Sequence, residues 1–275
     1  MNPMPEPQKT SPSDVRKSNH LSSNFGHFTL PTHDEIDLIL ELENPLPRNN
    51  LLDQALLTPL EGFFSANGKR VRSQILELGF LWAGKTGSTE NSEQLNHAAR
   101  IIEGLHAGSM IIDDIQDSSD QRRGQVSMHR RHGIPLALNA GNWLYFWAQD
   151  QIRLLGLEPT TELALQHYFN RILLRAHFGQ AIDVGISVSL LDRSEVKKVC
   201  LASMELKTGA LMSLAFDLGA CVAGCSQFPS TGANQFARRF GVALQMFDDI
   251  SNFSALPPKG KEDLKALPGN EWVEI

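Results

Sequence analysis

The chain has 275 residues, 41% hydrophobic and 20% charged, with 25 Lys and Arg against 31 Asp and Glu for a formal charge of −6. That balance excludes broad electrostatic binding to nucleic acid, so any anionic ligand has to be met by local clusters of base. The length suffices for one large buried core. Three cysteines give no disulfide framework. With neither an export signal nor a membrane span legible, the expected setting is reducing and cytoplasmic.

In chain order, residues 1–30 are rich in Pro, Ser, Asn and charge and predict a disordered tail, leaving 31–275 as the folded domain. A short amphipathic segment begins near His33-Asp34-Glu35, with Ile36, Leu38, Ile39, Leu40 and Leu42 as its apolar positions. From Leu51 the apolar spacing is helical, through Ala55, Leu56, Leu60 and Phe63 to a break at Asn67-Gly68. Gly68-Lys69-Arg70-Val71-Arg72 then opens a second helix. Three cations at a helix start suit an anion, although a solvated basic turn explains them equally well. A Gly-Ser-Thr-rich connection from Gly84 to Ser92 precedes a long helix carrying His97, Ile101, Ile102, Leu105 and His106.

That helix ends in Asp113-Asp114-Ile-Gln-Asp117. Residues four apart share a helix face, so Asp113 and Asp117 stand roughly 6 Å apart along the axis. Mg²⁺ prefers oxygen ligands and usually takes one or two carboxylates plus substrate phosphates, which this pair can offer. Taken alone, an acidic helix end is the better reading. A second acidic pair far downstream, Asp248-Asp249-Ile-Ser-Asn252, shifts that weighing.

After the first pair a turn presents Arg122 and Arg123, whose guanidinium forks suit phosphate. Helices follow over about Ile134–Leu155, with a Trp143, Tyr145, Phe146, Trp147 cluster read as core, and over Glu162–Val188. Asp192-Arg193-Ser194-Glu195 starts another, in which Lys207 lies in an apolar run and must snorkel or find a charged partner. In the last helix, Ala233–Phe253, Ala233, Ala237, Gly241, Gln245 and Asp248 share one side. Those small residues leave room for an elongated ligand or serve close helix packing. Strand signals are scarce. The fold class is therefore all-α: a single-domain bundle, whose facing helices can build a metal site.

The order Gly-Lys-x-x-Arg, His-x-x-Ser-x-x-x-Asp-Asp-x-x-Asp, Arg-Arg-Gly, Gly-Gln-x-x-Asp, Lys-Thr-Gly, Gln-x-x-Asp-Asp-x-x-Asn resembles the trans-isoprenyl diphosphate synthases over about residues 60–264. Within that family, Asp113-Asp-Ile-Gln-Asp-Ser-Ser, Gly133-Ile-Pro and Asn139-Ala-Gly-Asn look most like geranylgeranyl diphosphate synthases of the fungal and animal kind. The resemblance implies the isoprenoid synthase fold around a central cavity, here without the family's last helices. Lys259, Lys261 or Lys265 could replace part of the missing charge. The resemblance further implies a homodimer; the apolar runs give no membrane span and the charge balance no nucleic-acid partner.

By that resemblance Asp113, Asp117 and Asp248 hold Mg²⁺, three ions per site, with Asp114 and Asp249 supporting. Arg122, Lys207, Thr208 and Gln245 would hold the allylic diphosphate, and Lys69, Arg72, His106 and Arg123 isopentenyl diphosphate. The implied reaction is condensation of the two to a short-chain product, C20. Gly108, five residues before Asp113, would leave the cavity open, since a bulky aromatic there stops chain growth early in this family. Two alternatives stay open: a terpene cyclase on the same fold, and a non-catalytic partner of another prenyl synthase.

Overall fold

Helical periodicity runs through almost the whole chain, and the computed structural model follows it, describing residues 25–43, 51–65, 68–84, 89–230 and 232–254. α1 (His33–Leu40) is opened by a reciprocal cap in which Thr32 and Glu35 bond each other's backbone N–H. A π-helical turn, Asp53–Leu57, leads into α2 (Thr58–Phe64). α3 (Val71–Trp82) and the long α4 (Thr89–Gln116) carry the basic turn and the first acidic pair. Next come a two-residue hairpin, β1 (Gln121–Arg122) with β2 (Gln125–Val126), then α5 (Met128–His132) and α6 (Ile134–Asp150). α7 (Pro159–Gly185), α8 (Arg193–Met204), a second π turn at Glu205–Gly209, α9 (Ala210–Val222) and α10 (Ala233–Ser254) complete the bundle.

α9 is its axis. Every residue from Ala210 to Val222 is buried. α3 crosses it at backbone contact, since a Cβ on Gly79 would strike the Phe216 carbonyl and one on Gly219 the Leu76 carbonyl. The helical run Arg193–Val222 is long and apolar enough to cross a membrane, and its α9 half is enclosed by protein. The one acid inside α9, Asp217, is fully buried. It accepts from the Tyr168 hydroxyl at 2.6 Å, from the Ser230 N–H at 3.0 Å, and from the Ser230 hydroxyl and the Asn234 amide. Those bonds satisfy the carboxylate and tie α9 to α7 and to the start of α10.

Three expectations change. Phe25, Phe28 and Leu30, assigned to the tail, pack on the core, so the folded part begins at or before Phe25. Of the aromatic cluster on α6, Trp147 is buried but Phe146 is 72% exposed and points away from the core. The small residues of α10 serve packing, for a Cβ on Gly241 would lie 2.9 Å from the Gly209 Cα. The tail up to residue 24 and Lys259, Lys261 and Lys265 lie outside the described residues.

Candidate active site

α4 organises the site because it carries carboxylates at one end of a stretch and an imidazole at the other. Asp113 and Asp117 fall one turn apart near its C-terminus, and His106 lies seven residues before Asp113, about 10 Å along the axis. Ser109, on the same stripe, is occupied locally, donating to the His106 carbonyl at 2.7 Å.

At the acidic end, neighbouring helices converge on Asp113. Lys207, from the π turn before α9, donates to Asp113 at 2.8 Å and to Asp183 of α7 at 2.6 Å. The lysine of the apolar run has therefore found two charged partners, which raise its pKa against the opposing effect of burial. Gln180, one turn before Asp183, donates to Asp113 at 2.9 Å and to Gln116 at 2.7 Å. Four carboxylates, Asp113, Asp114, Asp117 and Asp183, share this end with two cations, Arg122 and Lys207. Burial, reinforced by the charge of Asp113, pushes the Asp117 carboxyl up to about 6.

Asp114 points the other way. It is 1% exposed and ion-paired with Arg122, whose Nε donates to it at 2.7 Å. Arg122 also lies 3.8 Å from Asp113. Asp114 thus orients an arginine toward the acidic face and is not itself on that face. On α10, Gln245 accepts from the Thr208 hydroxyl at 2.9 Å and donates to Asp249 at 2.9 Å, joining the two candidate substrate contacts in one chain. Asp248 and Asp249 are exposed. The charge of Asp249 reaches Asp183 and Lys207, whereas that of Asp248 reaches Arg72.

The basic end is assembled from α3, α4 and the hairpin. Arg72, His106 and Arg123 influence one another electrostatically, and Lys69 stands exposed at the head of α3. Burial pushes Arg72 down to about 10 even though Glu103 opposes the shift. Burial and the charges of Arg72, Arg123 and Arg122 hold His106 well below the usual histidine pKa, so it is neutral at pH 7. Nε of Arg72 and Nδ1 of His106 are buried and meet no hydrogen-bond partner. Buried polar atoms are nearly always paired, so these two nitrogens, on groups that influence each other electrostatically, are open to a partner from outside the chain.

The structure therefore gathers Asp113, Asp117, Lys207 and Arg122 at one end and Arg72, His106 and Arg123 at the other, with Gln245, Asp248 and Asp249 along α10 and Thr208 reaching Gln245 from the π turn before α9. Three contributors were missed in the sequence. Gln180 and Asp183 stood in a noted Gly-Gln-x-x-Asp without a role, and Glu103 was legible as a lone charge in an apolar stretch. Gly108 is corrected: a Cβ there would lie 2.8 Å from the Gly141 carbonyl and 3.1 Å from Leu144. Its smallness is used up by the crossing of α4 and α6 and opens no cavity.

Residues 53–265 match the sequence profile of the polyprenyl synthetases. The chain belongs to that family. Among its relatives, a geranylgeranyl diphosphate synthase of Sulfolobus acidocaldarius is 32% identical over 196 residues, covering 70% of this chain and 56% of the relative. One from Penicillium canescens is 32% identical over 206 residues, covering 74% and 57%. This chain thus spans a little over half the length of these curated relatives. Among solved structures, an isoprenoid synthase family member from Thermotoga neapolitana superposes with a TM-score of 0.60 at 27% identity, covering 83% of each chain. A geranyltranstransferase from Thermotoga maritima gives 0.63 at 25%, covering 88% of this chain and 84% of that one. The bundle fold is thus common to this chain and both structures, and the matched residues 53–265 contain both charged ends.

Proposed function

We propose that this polyprenyl synthetase is a Mg²⁺-dependent prenyltransferase that joins isopentenyl diphosphate to an allylic diphosphate and releases a C20 product. The observation that carries the reading is the polarity of α4: a crowded acidic face, and two turns away a basic pocket with two unpartnered buried nitrogens. Two diphosphates require two surfaces of opposite design, one reached through cations and one through the protein's own bases. The geranylgeranyl diphosphate synthases among the relatives support the C20 product.

The acidic end fits a divalent cation. Among the described residues no three acidic, histidine or cysteine side chains stand close enough to cage a metal alone. Mg²⁺ needs no such cage when substrate phosphates complete its shell. Asp113 and Asp117, with Asp248 from α10, would hold the ions, and a cation there would offset the burial and the Asp113 charge that raise Asp117. Bound Mg²⁺ supplies charge neutralisation for the leaving diphosphate.

The chain's own side chains do the remaining work. Lys207 and Arg122 stand beside Asp113, within reach of the same phosphate oxygens, and stabilise the negative charge that grows as the allylic C–O bond breaks. Gln180 and Asp183 hold Lys207 and Asp113 in place. Arg72, Arg123 and the neutral His106 anchor isopentenyl diphosphate, so that its double bond attacks the allylic cation. Proton loss from the condensed cation goes to the departing diphosphate, and the apolar helix walls keep water from the cation.

A homodimer is part of the proposal. It is supported by an exposed apolar stripe on α6, Ile134, Leu138 and Phe146, and by Leu174 and Phe178 on α7. Sedimentation velocity checks it: a concentration-independent monomer rejects it. For the activity, the purified protein is incubated with Mg²⁺, isopentenyl diphosphate and dimethylallyl, geranyl or farnesyl diphosphate, and the products are sized. The expected product is C20; no elongation from any primer overturns the reading.

A further inference from the structure

The basic turn at the head of α3 is held by a segment that has no part in the site described so far. Arg70, between Lys69 and Arg72, has a left-handed backbone (φ 49°, ψ 35°) at the N-cap of α3 and makes no side-chain cap. A residue other than glycine keeps that conformation only where its surroundings hold it. The restraint is its own guanidinium, whose Nη1 donates to the carbonyl of Phe25 at 2.9 Å, 45 residues earlier.

The segment from Phe25 to Thr29 is itself pinned to the core. Phe28 stacks on Phe64 with ring centroids 3.9 Å apart and meets Trp147 edge-on at 5.2 Å. Arg100 donates its Nε to the Thr29 carbonyl at 2.7 Å and lies over the Trp147 ring. Gly26 runs so close to α3 that a Cβ would come within 2.5 Å of the Ser73 hydroxyl oxygen. From the opposite side Glu103 of α4 accepts from the Ser73 N–H at 3.2 Å and from its hydroxyl at 2.6 Å. The turn is therefore clamped between α4 and this strap. Phe25, Lys69, Arg70 and Ser73 also border a cavity of about 310 Å³.

We propose that Arg70 is a positioning residue for the isopentenyl diphosphate side of the site, and that the strap at Phe25–Thr29 is the anchor through which it acts. The inference rests on the substrate assignment above. Arg70 turns its guanidinium Nη1 to a backbone carbonyl and acts by setting the orientation of Lys69 and Arg72. Asp113 and Lys207, which lie toward the other end of α4, are outside its reach.

Two variants test this from opposite sides. Arg70→Gly suits the left-handed backbone and removes the tether; Gly26→Val keeps the Arg70 side chain and strains the strap, both at its own φ of 73° and against Ser73. Loss of a hydrogen bond from a charged donor corresponds to about a tenfold change in an equilibrium constant. Both variants are therefore expected to weaken binding of isopentenyl diphosphate, measured by calorimetry, and to raise its KM by about tenfold, with the KM of the allylic diphosphate within about twofold. Arg70→Lys, which keeps one donor, recovers most of the loss. Unchanged affinity for isopentenyl diphosphate in Arg70→Gly, or an equal loss for both substrates, overturns the inference. A wild-type chain that binds isopentenyl diphosphate but makes no product sinks the prenyltransferase reading and leaves this one to stand or fall on the calorimetry. Failure of the wild type to bind it overturns both.

Discussion

The two ends of α4 hold their charges in opposite ways. At the acidic end Lys207, Gln180 and Arg122 each donate to a carboxylate, and the groups hold one another in place. At the basic end like charges lie together, and Arg72 Nε and His106 Nδ1 are buried without a partner. Preassembly at one end and unmet donors at the other teach that the ligands differ in what they must bring. On the proposed reading, the ligand of the acidic end brings cations and that of the basic end supplies acceptors.

The comparison breaks most sharply at Asp113. Asp113→Ala removes an oxygen donor and the partner of both Lys207 and Gln180. Turnover is expected to fall on the order of a thousandfold, about 4 kcal/mol of barrier. The KM of isopentenyl diphosphate should change less than about threefold, because its proposed site is at the other end. A matching collapse of both parameters in steady-state kinetics would show that the ends are not separate. Arg72→Ala runs the test in reverse: the KM of isopentenyl diphosphate rises about 10–100-fold through loss of charged hydrogen bonds, while turnover at saturation falls far less.

Asp114 sharpens the view that the acidic end is a scaffold. Replacing it by Asn leaves Arg122 without its buried counter-charge. Breaking a buried pair costs several kcal/mol, but about a third of the Arg122 side chain reaches solvent, so about 2 kcal/mol is the expected loss. In a chain of this size that lowers the melting temperature by roughly 5 °C. No change in melting would mean that Arg122 is held by Asp113 alone. Gly108→Val tests the α4–α6 crossing in the same units: overpacking against the Gly141 carbonyl costs about 1–3 kcal/mol, with product length unchanged.

How much of this was legible in the sequence follows from what each feature depends on. The acidic pair, the basic turn and the helices that carry them are local, set by spacing along one helix, and the structure has them where periodicity placed them. That Lys207 needed a charged partner could be read from its apolar surroundings; that the partners are Asp113 and Asp183 could not, because they lie 94 and 24 residues away. That Asp114 leaves the helix away from Asp113 and Asp117 follows from helix geometry, and the resemblance gave it a supporting role; that it meets Arg122 was illegible, since only the neighbouring hairpin decides it. Gly108 was misread because a small residue on a helix looks alike whether it faces a cavity or another backbone. The strap was hidden in a stretch whose composition matched disorder, where Phe25, Phe28 and Leu30 were a sparse apolar signal.

The smallest expected effect concerns pH. His106 at the basic end is held below the usual histidine pKa, chiefly by burial and then by its arginine neighbours. The unfolded chain would protonate it near pH 6.5. Below that pH the unfolded state therefore binds a proton that the folded state refuses, and folding stability falls as pH drops. Asp117 at the acidic end acts in the opposite sense, because its folded pKa of about 6 lies above the usual carboxylate value and favours the folded state as pH drops toward it. The wild-type slope is a sum of opposed terms, so the difference between chains is the informative quantity. His106→Gln removes the histidine contribution, at most about 1.4 kcal/mol per pH unit. Denaturant midpoints at pH 7.5 and 5.5 should then show the variant losing less stability on acidification than the wild type. An identical loss would mean that His106 accepts a proton in the folded chain, and the basic end would then carry one more charge than its geometry implies.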